Sequence, residues 1–146
     1  MRRAVISTML AVLMVLTATL VSGPAWAAKQ PVKLSGTVNV HGTKDVSKKS
    51  NATLEMELDN FYFGPTFVKA KSGETIEIEL ENEGSAPHTL TSDALGVDEE
   101  VAPGDSATVE ITVPSSGGAF RFFCRFHQAN GMQGAVFTKT GVKATN

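Results

Sequence analysis

Cysteine is almost absent: Cys124 stands alone among 146 residues, so no disulfide within the chain can staple its fold. Basic residues are not in excess either. There are 13 Lys and Arg against 15 Asp and Glu, for a formal net charge of −2. With no basic stripe, nucleic acid is excluded as an expected partner. Beyond residue 27 no segment keeps a helical period over three turns, and internal repeats and low-complexity tracts are missing. These absences remove disulfide scaffolds, helical bundles and repeat arrays from consideration.

One long apolar run is present, from Ala4 to Val21. Arg2 and Arg3 precede it, Gly23 and Pro24 end it, and Ala25-Trp26-Ala27 follows as an A-x-A site. The pattern is that of a secretory signal peptide, residues 1–27, cleaved after Ala27. The competing reading is a retained anchor, for which 18 residues lie near the lower limit of a bilayer span. The expected location is therefore periplasmic or extracellular. Membrane contact would come only through a partner or through an uncleaved leader. Cleavage leaves 119 residues with 11 Lys and Arg against 15 Asp and Glu, enough for one compact domain, expected to be a monomer. A lone thiol exported to an oxidising compartment is at risk unless it is buried or ligated.

The exported part reads as strands. TLEMELD puts Leu54, Met56 and Leu58 on one face. TIEIELEN puts Ile76, Ile78 and Leu80 inward and Glu77, Glu79 and Glu81 outward. ATVEITV aligns Ala107, Val109, Ile111 and Val113. AFRFFC and GAVFT add two more, and LSGTVNV (34–40) is a weak candidate. Gly and Pro turns separate them. HGTKDVSKKSN (41–51) reads as a polar loop, with His41 in solvent. The fold class expected is all-β, an antiparallel sandwich or barrel. Residues 28–52 form an N-terminal extension with a possible extra strand, and 53–146 the main domain.

Chemistry concentrates in CRFHQANGM, residues 124–132. Cys124 closes one strand, Met132 opens the next, and His127 lies in the loop between. A further histidine, His88, begins a strand in SAPHTL, with Pro87 fixing the backbone before it. Should the two strand ends meet, the set is His88, Cys124, His127 and Met132. A thiolate and two imidazoles suit copper, with a thioether as a weak fourth ligand. Such a trigonal site passes one electron with little rearrangement. Structural zinc rarely uses methionine.

CRFHQANGM resembles the C-x2-H-x4-M ligand loop of plastocyanin-like and amicyanin-like small blue copper proteins, the cupredoxins. FYFGPTFVKAKSGETIEIELENEGSAPHTL is similar to their first-ligand half, and VAPGDSATVEITVPSSGGAFRFFC to the strands leading to the cysteine. The resemblance spans roughly residues 53–138. It implies a Greek-key β-sandwich of about 7–8 strands and one type 1 copper, cycling between Cu(I) and Cu(II). His88, Cys124 and His127 would be the strong ligands and Met132 the axial one. It implies a one-electron carrier between redox proteins, a donor and an acceptor, rather than an enzyme. It also implies that the His127 ring edge is the electron port, flanked by Phe126, Ala129 and Gly131, with Pro65 or Phe63 joining the patch. Two positions depart from the family. Thr89 stands where many members have an Asn that braces the two ligand loops. Arg125 stands where plastocyanins have a small hydroxyl side chain. The backbone N–H of Thr89 could still donate to the Cys124 sulfur.

Other classes fit fewer residues. A copper protein that delivers, buffers or scavenges metal would use the same ligands. A cysteine hydrolase pairing Cys124 with His127 lacks an oxyanion-hole turn at a helix N-terminus. An adhesion domain with a vestigial site would bind no copper. Asp98-Glu99-Glu100 reads as a solvated loop, its functional alternative being to steer a basic redox partner.

Overall fold

The computed structural model describes residues 30–146; the expected signal peptide lies outside them. Ten strands occupy this region. They are β1 (Thr43–Asp45), β2 (Ala52–Asp59), β3 (Tyr62–Gly64), β4 (Phe67–Lys69), β5 (Thr75–Asn82), β6 (His88–Ser92), β7 (Val97–Val101), β8 (Ser106–Thr112), β9 (Ala119–Phe123) and β10 (Gln133–Phe137). They make two sheets, ordered β1-β4-β10-β9-β6-β7 and β3-β2-β5-β8. The all-β sandwich is thus as expected, with more strands than expected. The additional ones include β1, β3 and β4, which have three residues each and are too short to show a period.

The smaller sheet follows from alternation. Leu54, Met56 and Leu58 of β2 lie on the same sheet face as Ile76, Ile78 and Leu80 of the adjacent β5, with Leu54 beside Ile78 and Met56 beside Leu80, and all six are buried. Their glutamate neighbours point outward. The pairing of β2 with β5 is parallel, as are those of β4 with β1 and with β10. This corrects the wholly antiparallel expectation. Side chains alternate identically in both ladders, so a period of two carries no information on direction.

Residues 34–40 do not form the anticipated strand. Only Val40 makes a bridge there, to Phe63. The strand lies instead inside the segment read as a loop. β1 rides on the edge of β4 with all three residues exposed. Backbone pairing holds it, aided by Lys69 Nζ 3.1 Å from the Asp45 carboxylate and by the Ser47 hydroxyl, which donates to Asp45 at 2.6 Å. Such an edge strand needs no apolar face. His41 is exposed as expected, yet its ring stacks on Tyr62 with centroids 3.4 Å apart.

β10 is buried at every position, so both faces of the larger sheet are covered. The inner face joins the main core. The outer face forms a second cluster of Val32, Phe67, Ala119, Ala135 and Phe137, covered by Leu34, Val38, Val40, Val142 and Ala144. Chain on both flanks of the strand region therefore packs over β4, β9 and β10. Each fully buried Phe or Val contributes about 1.5–3 kcal/mol, so residues 32–40 are an integral layer of the domain.

Candidate metal centre

β6 and β9 lie side by side, joined at Thr91 and Phe123. Their pairing brings the start of β6 next to the loop leaving β9. The loop itself is closed by backbone bonds. Cys124 N–H donates to Met132 O at 3.0 Å, Gln128 N–H to Cys124 O at 2.9 Å, and Met132 N–H to His127 O at 3.2 Å. One 3-10 turn, Gln128–Asn130, fills its tip and ends on Gly131 with φ of 93°, a left-handed value that favours glycine.

Three of the four expected ligands converge. His88 Nδ1 and His127 Nδ1 are 3.1 Å apart; Cys124 Sγ lies 3.5 Å from the His127 nitrogen and 3.9 Å from that of His88. A point equidistant from the three atoms lies about 2 Å from each, which is the length of a metal–imidazole bond. His88, Cys124 and His127 form the one group of metal-ligating side chains found among the described residues. Met132 is fully buried behind the loop in the same core cluster as Cys124, and its backbone is tied to both Cys124 and His127. The donor set fits copper: a thiolate, two imidazoles, and a thioether within the same loop.

The surroundings orient these groups. Thr89 N–H points at Cys124 Sγ from 3.4 Å, the bond anticipated from sequence. Asn82 shapes the approach to His88. Its side-chain amide donates to Ala86 O and Val101 O, and its carbonyl accepts Gly84 N–H. Gly84 leaves room for the ligand ring, since a Cβ there would sit 2.8 Å from His88 Nε2. That nitrogen is buried without a hydrogen-bond partner, so the polar contacts of the ring run through Nδ1, toward His127 and Cys124.

Thr89 supplies a brace in place of Asn. Its hydroxyl accepts Arg125 N–H at 2.9 Å and lies 3.0 Å from the Thr91 hydroxyl, which is 2.7 Å from Asp98. An ionised carboxylate only accepts, so the Thr91 hydroxyl donates its one proton to Asp98 and accepts a hydrogen bond from the Thr89 hydroxyl. Arg125 Nε closes the ring on Asp98 at 3.0 Å, and its NH2 group reaches Glu100 at 3.3 Å. The two departures from the family pattern thus act together. Arg125 also engages two of the three carboxylates of the 98–100 cluster, which weakens any field the cluster offers a basic partner.

The patch around His127 differs from the one expected. Phe63 is wholly buried and packs edge-on against Phe122 with centroids 5.0 Å apart. It does not join the patch, because alternation along β3 turns it inward. Phe61, which sequence reasoning passed over, packs on the His127 ring at 4.7 Å between centroids. Its place at the β2–β3 turn left no periodic signal.

Burial, and after it the nearby His127, hold the His88 pKa below its ordinary 6.5, while Asp59 pulls weakly the other way. An unfolded chain takes a proton near 6.5, and the folded metal-free protein resists it. The unfolded state then binds more protons, so stability should fall as pH drops below about 6.5, by at most about 1.4 kcal/mol per unit. Urea denaturation of the metal-free protein from pH 7.5 to 5.5 measures this. His88→Gln should flatten the slope, and an equal slope in both proteins would rule His88 out as its source.

Residues 10–137 match the family model described as a cupredoxin-like domain. No curated protein matches the chain. Among solved structures, the reduced auracyanin of the photosynthetic bacterium Roseiflexus castenholzii aligns with 62% of this chain and 98% of its own, at 18% identity and a TM-score of 0.50. Auracyanin B aligns with 71% of this chain and 96% of its own, at 18% identity and a TM-score of 0.51. A chain of a heme-copper terminal oxidase dimer aligns over 79% of this chain and 82% of its own, at 15% identity and a TM-score of 0.53. At these identities the likeness is one of fold. The family match begins at residue 10, well before residue 53.

Proposed function

The chain belongs to the cupredoxin-like family, and from that premise we propose that it is an exported type 1 copper protein carrying single electrons between two redox proteins. The observation that carries this reading is the triangle of His88 Nδ1, His127 Nδ1 and Cys124 Sγ. Copper held there supplies a one-electron couple. His88 and Cys124 are sealed from solvent and set by the packed β6 and β9. The braced loop gives them little freedom to rearrange, which keeps the reorganisation accompanying transfer small. His127 is half-buried beside Phe126, the one exposed large hydrophobic side chain among the described residues, at 48%. This pair offers a short, apolar path to a partner. No helix of the described residues is long and apolar enough to cross a membrane.

The test is direct. Purified protein given one equivalent of Cu(II) should show an intense thiolate-to-copper band and narrow copper hyperfine splitting. A pale spectrum with ordinary splitting would mean that the ligands do not close on the metal, and the carrier reading would fall. Fast electron self-exchange supports the carrier. Slow self-exchange with rapid loss of copper to a chelator would support delivery or buffering of metal instead.

A further inference from the structure

Residues 35–39 cross the ligand loop on its outer side, and every second residue makes contact. The Gln133 side chain, buried next to Met132, donates to Ser35 O at 2.9 Å and Thr37 O at 2.5 Å, while its own carbonyl accepts Arg121 Nε–H at 2.8 Å. Asn39 N–H donates to Gly131 O at 3.0 Å. The Asn39 side chain spends both amide protons on two separate elements, Phe61 O and Asn130 O, each at 2.9 Å. Phe61 is the residue whose ring packs on His127, and Asn130 belongs to the loop tip. The fit is close: a Cβ on Gly131 would lie 3.0 Å from both the Asn39 side-chain oxygen and the Thr37 methyl. Behind Asn39 the crossing segment is moored to the larger sheet. The Thr66 hydroxyl, which donates to Phe63 O at 2.9 Å, accepts His41 N–H at 2.7 Å and lies 3.2 Å from Asn39 O.

We propose that this N-terminal segment is a clamp on the ligand loop, with Asn39 the positioning residue that locks the loop tip to the aromatic turn against His127. Asn39 touches none of the expected ligands and acts through Asn130, Gly131 and Phe61. A carbonyl pair facing one NH2 group is a demanding geometry. Only a side-chain amide at this reach satisfies both acceptors at once. The clamp is a property of the metal-free chain; its meaning for copper rests on the function proposed above.

Amide hydrogen exchange of the full metal-free protein tests the clamp without copper. Asn39→Ala should speed exchange at Asn130, Gly131 and Met132 by about tenfold or more, the effect of losing two hydrogen bonds locally. Amides of β2 and β5 should be unmoved. Asn39→Asp keeps the size, removes both donors, and should behave likewise. Val32→Ala is the control. It lies in the same N-terminal layer but in the apolar cluster, so it should lower global stability and leave the loop at its wild-type ratio to β2 and β5. With Cu(II) bound, Asn39→Ala should change the ratio of the visible bands and speed copper release several-fold, and Val32→Ala should do neither. Loop amides that exchange alike in Asn39→Ala and wild type would overturn the clamp. So would an Asn39→Ala effect spread evenly over all strands. If wild-type protein takes up no copper, the function proposed above fails, while the exchange data still decide the clamp.

Discussion

Cys124→Ser should extinguish the intense visible band completely and leave the protein folded. The band requires a sulfur-to-copper charge transfer, and the thiolate is the single sulfur anion in the chain. A serine hydroxyl is a harder and much weaker donor and stays protonated near neutral pH, so it cannot replace the thiolate's covalent coupling. Copper affinity should fall by more than the roughly 10–100-fold that follows loss of an outer-shell partner, because a strong ligand is removed. The fold should survive, since Cys124 is wholly buried and Ser is slightly smaller. Thr89 N–H, now directed at sulfur from 3.4 Å, can donate to the new oxygen, so the hydroxyl is not stranded. Metal-free stability should change by about 1–2 kcal/mol. Absorption after copper addition, with circular dichroism as the fold check, decides the matter: a blue protein without Cys124 would refute the ligand assignment.

Much of the candidate site was legible because its chemistry is local. Cys124, His127 and Met132 occupy one short loop, so their spacing places them together, whereas His88 lies 36 residues before Cys124 and joined the set through the resemblance to the cupredoxins. Strand faces were legible for a similar reason. Alternation in β2 and β5 appears directly in TLEMELD and TIEIELEN. Three features were hidden. The parallel pairs were hidden because a ladder's direction leaves no mark on side-chain period. β1 was hidden because an exposed edge strand held by backbone bonds has no apolar signature. The ring of Thr89, Thr91, Asp98 and Arg125 joins residues up to 36 apart through two hydroxyls and an ion pair. Arg125 and Thr89 looked like departures from a pattern when each was taken singly. Only the pairing of β6 with β7 and β9 shows that they compensate for one another. Such exposed ion pairs are individually weak, so the ring matters for where it holds the Cys124 loop rather than for overall stability.

Gly134→Ala should destabilise the protein by about 3 kcal/mol, at the upper end of what overpacking costs. The residue reads in sequence as an unremarkable start to GAVFT. In the structure it faces Phe122 across the β9–β10 ladder, and a Cβ would overlap the Thr66 carbonyl oxygen and come within 2.5 Å of the Phe122 ring. Neither neighbour can yield cheaply. Thr66 O accepts Ala135 N–H at 3.1 Å, so moving it breaks a bond between the β4 and β10 regions. The Phe122 ring is packed edge-on against Phe63 in the core. The melting temperature should drop by roughly 10 °C or more for a domain of this size. A second substitution separates the two clashes. Phe122→Leu removes the ring but leaves the Thr66 carbonyl, so it should relieve part of the penalty. The double variant should then be more stable than the sum of the single losses implies, by about 1 kcal/mol. Strict additivity would place the whole strain on the backbone oxygen. A loss below about 0.5 kcal/mol for Gly134→Ala itself would mean that β4 and β10 do not approach as closely as described. Met132 and Gln133 immediately precede this glycine, so the same close approach also sets where the ligand loop lands on the sheet.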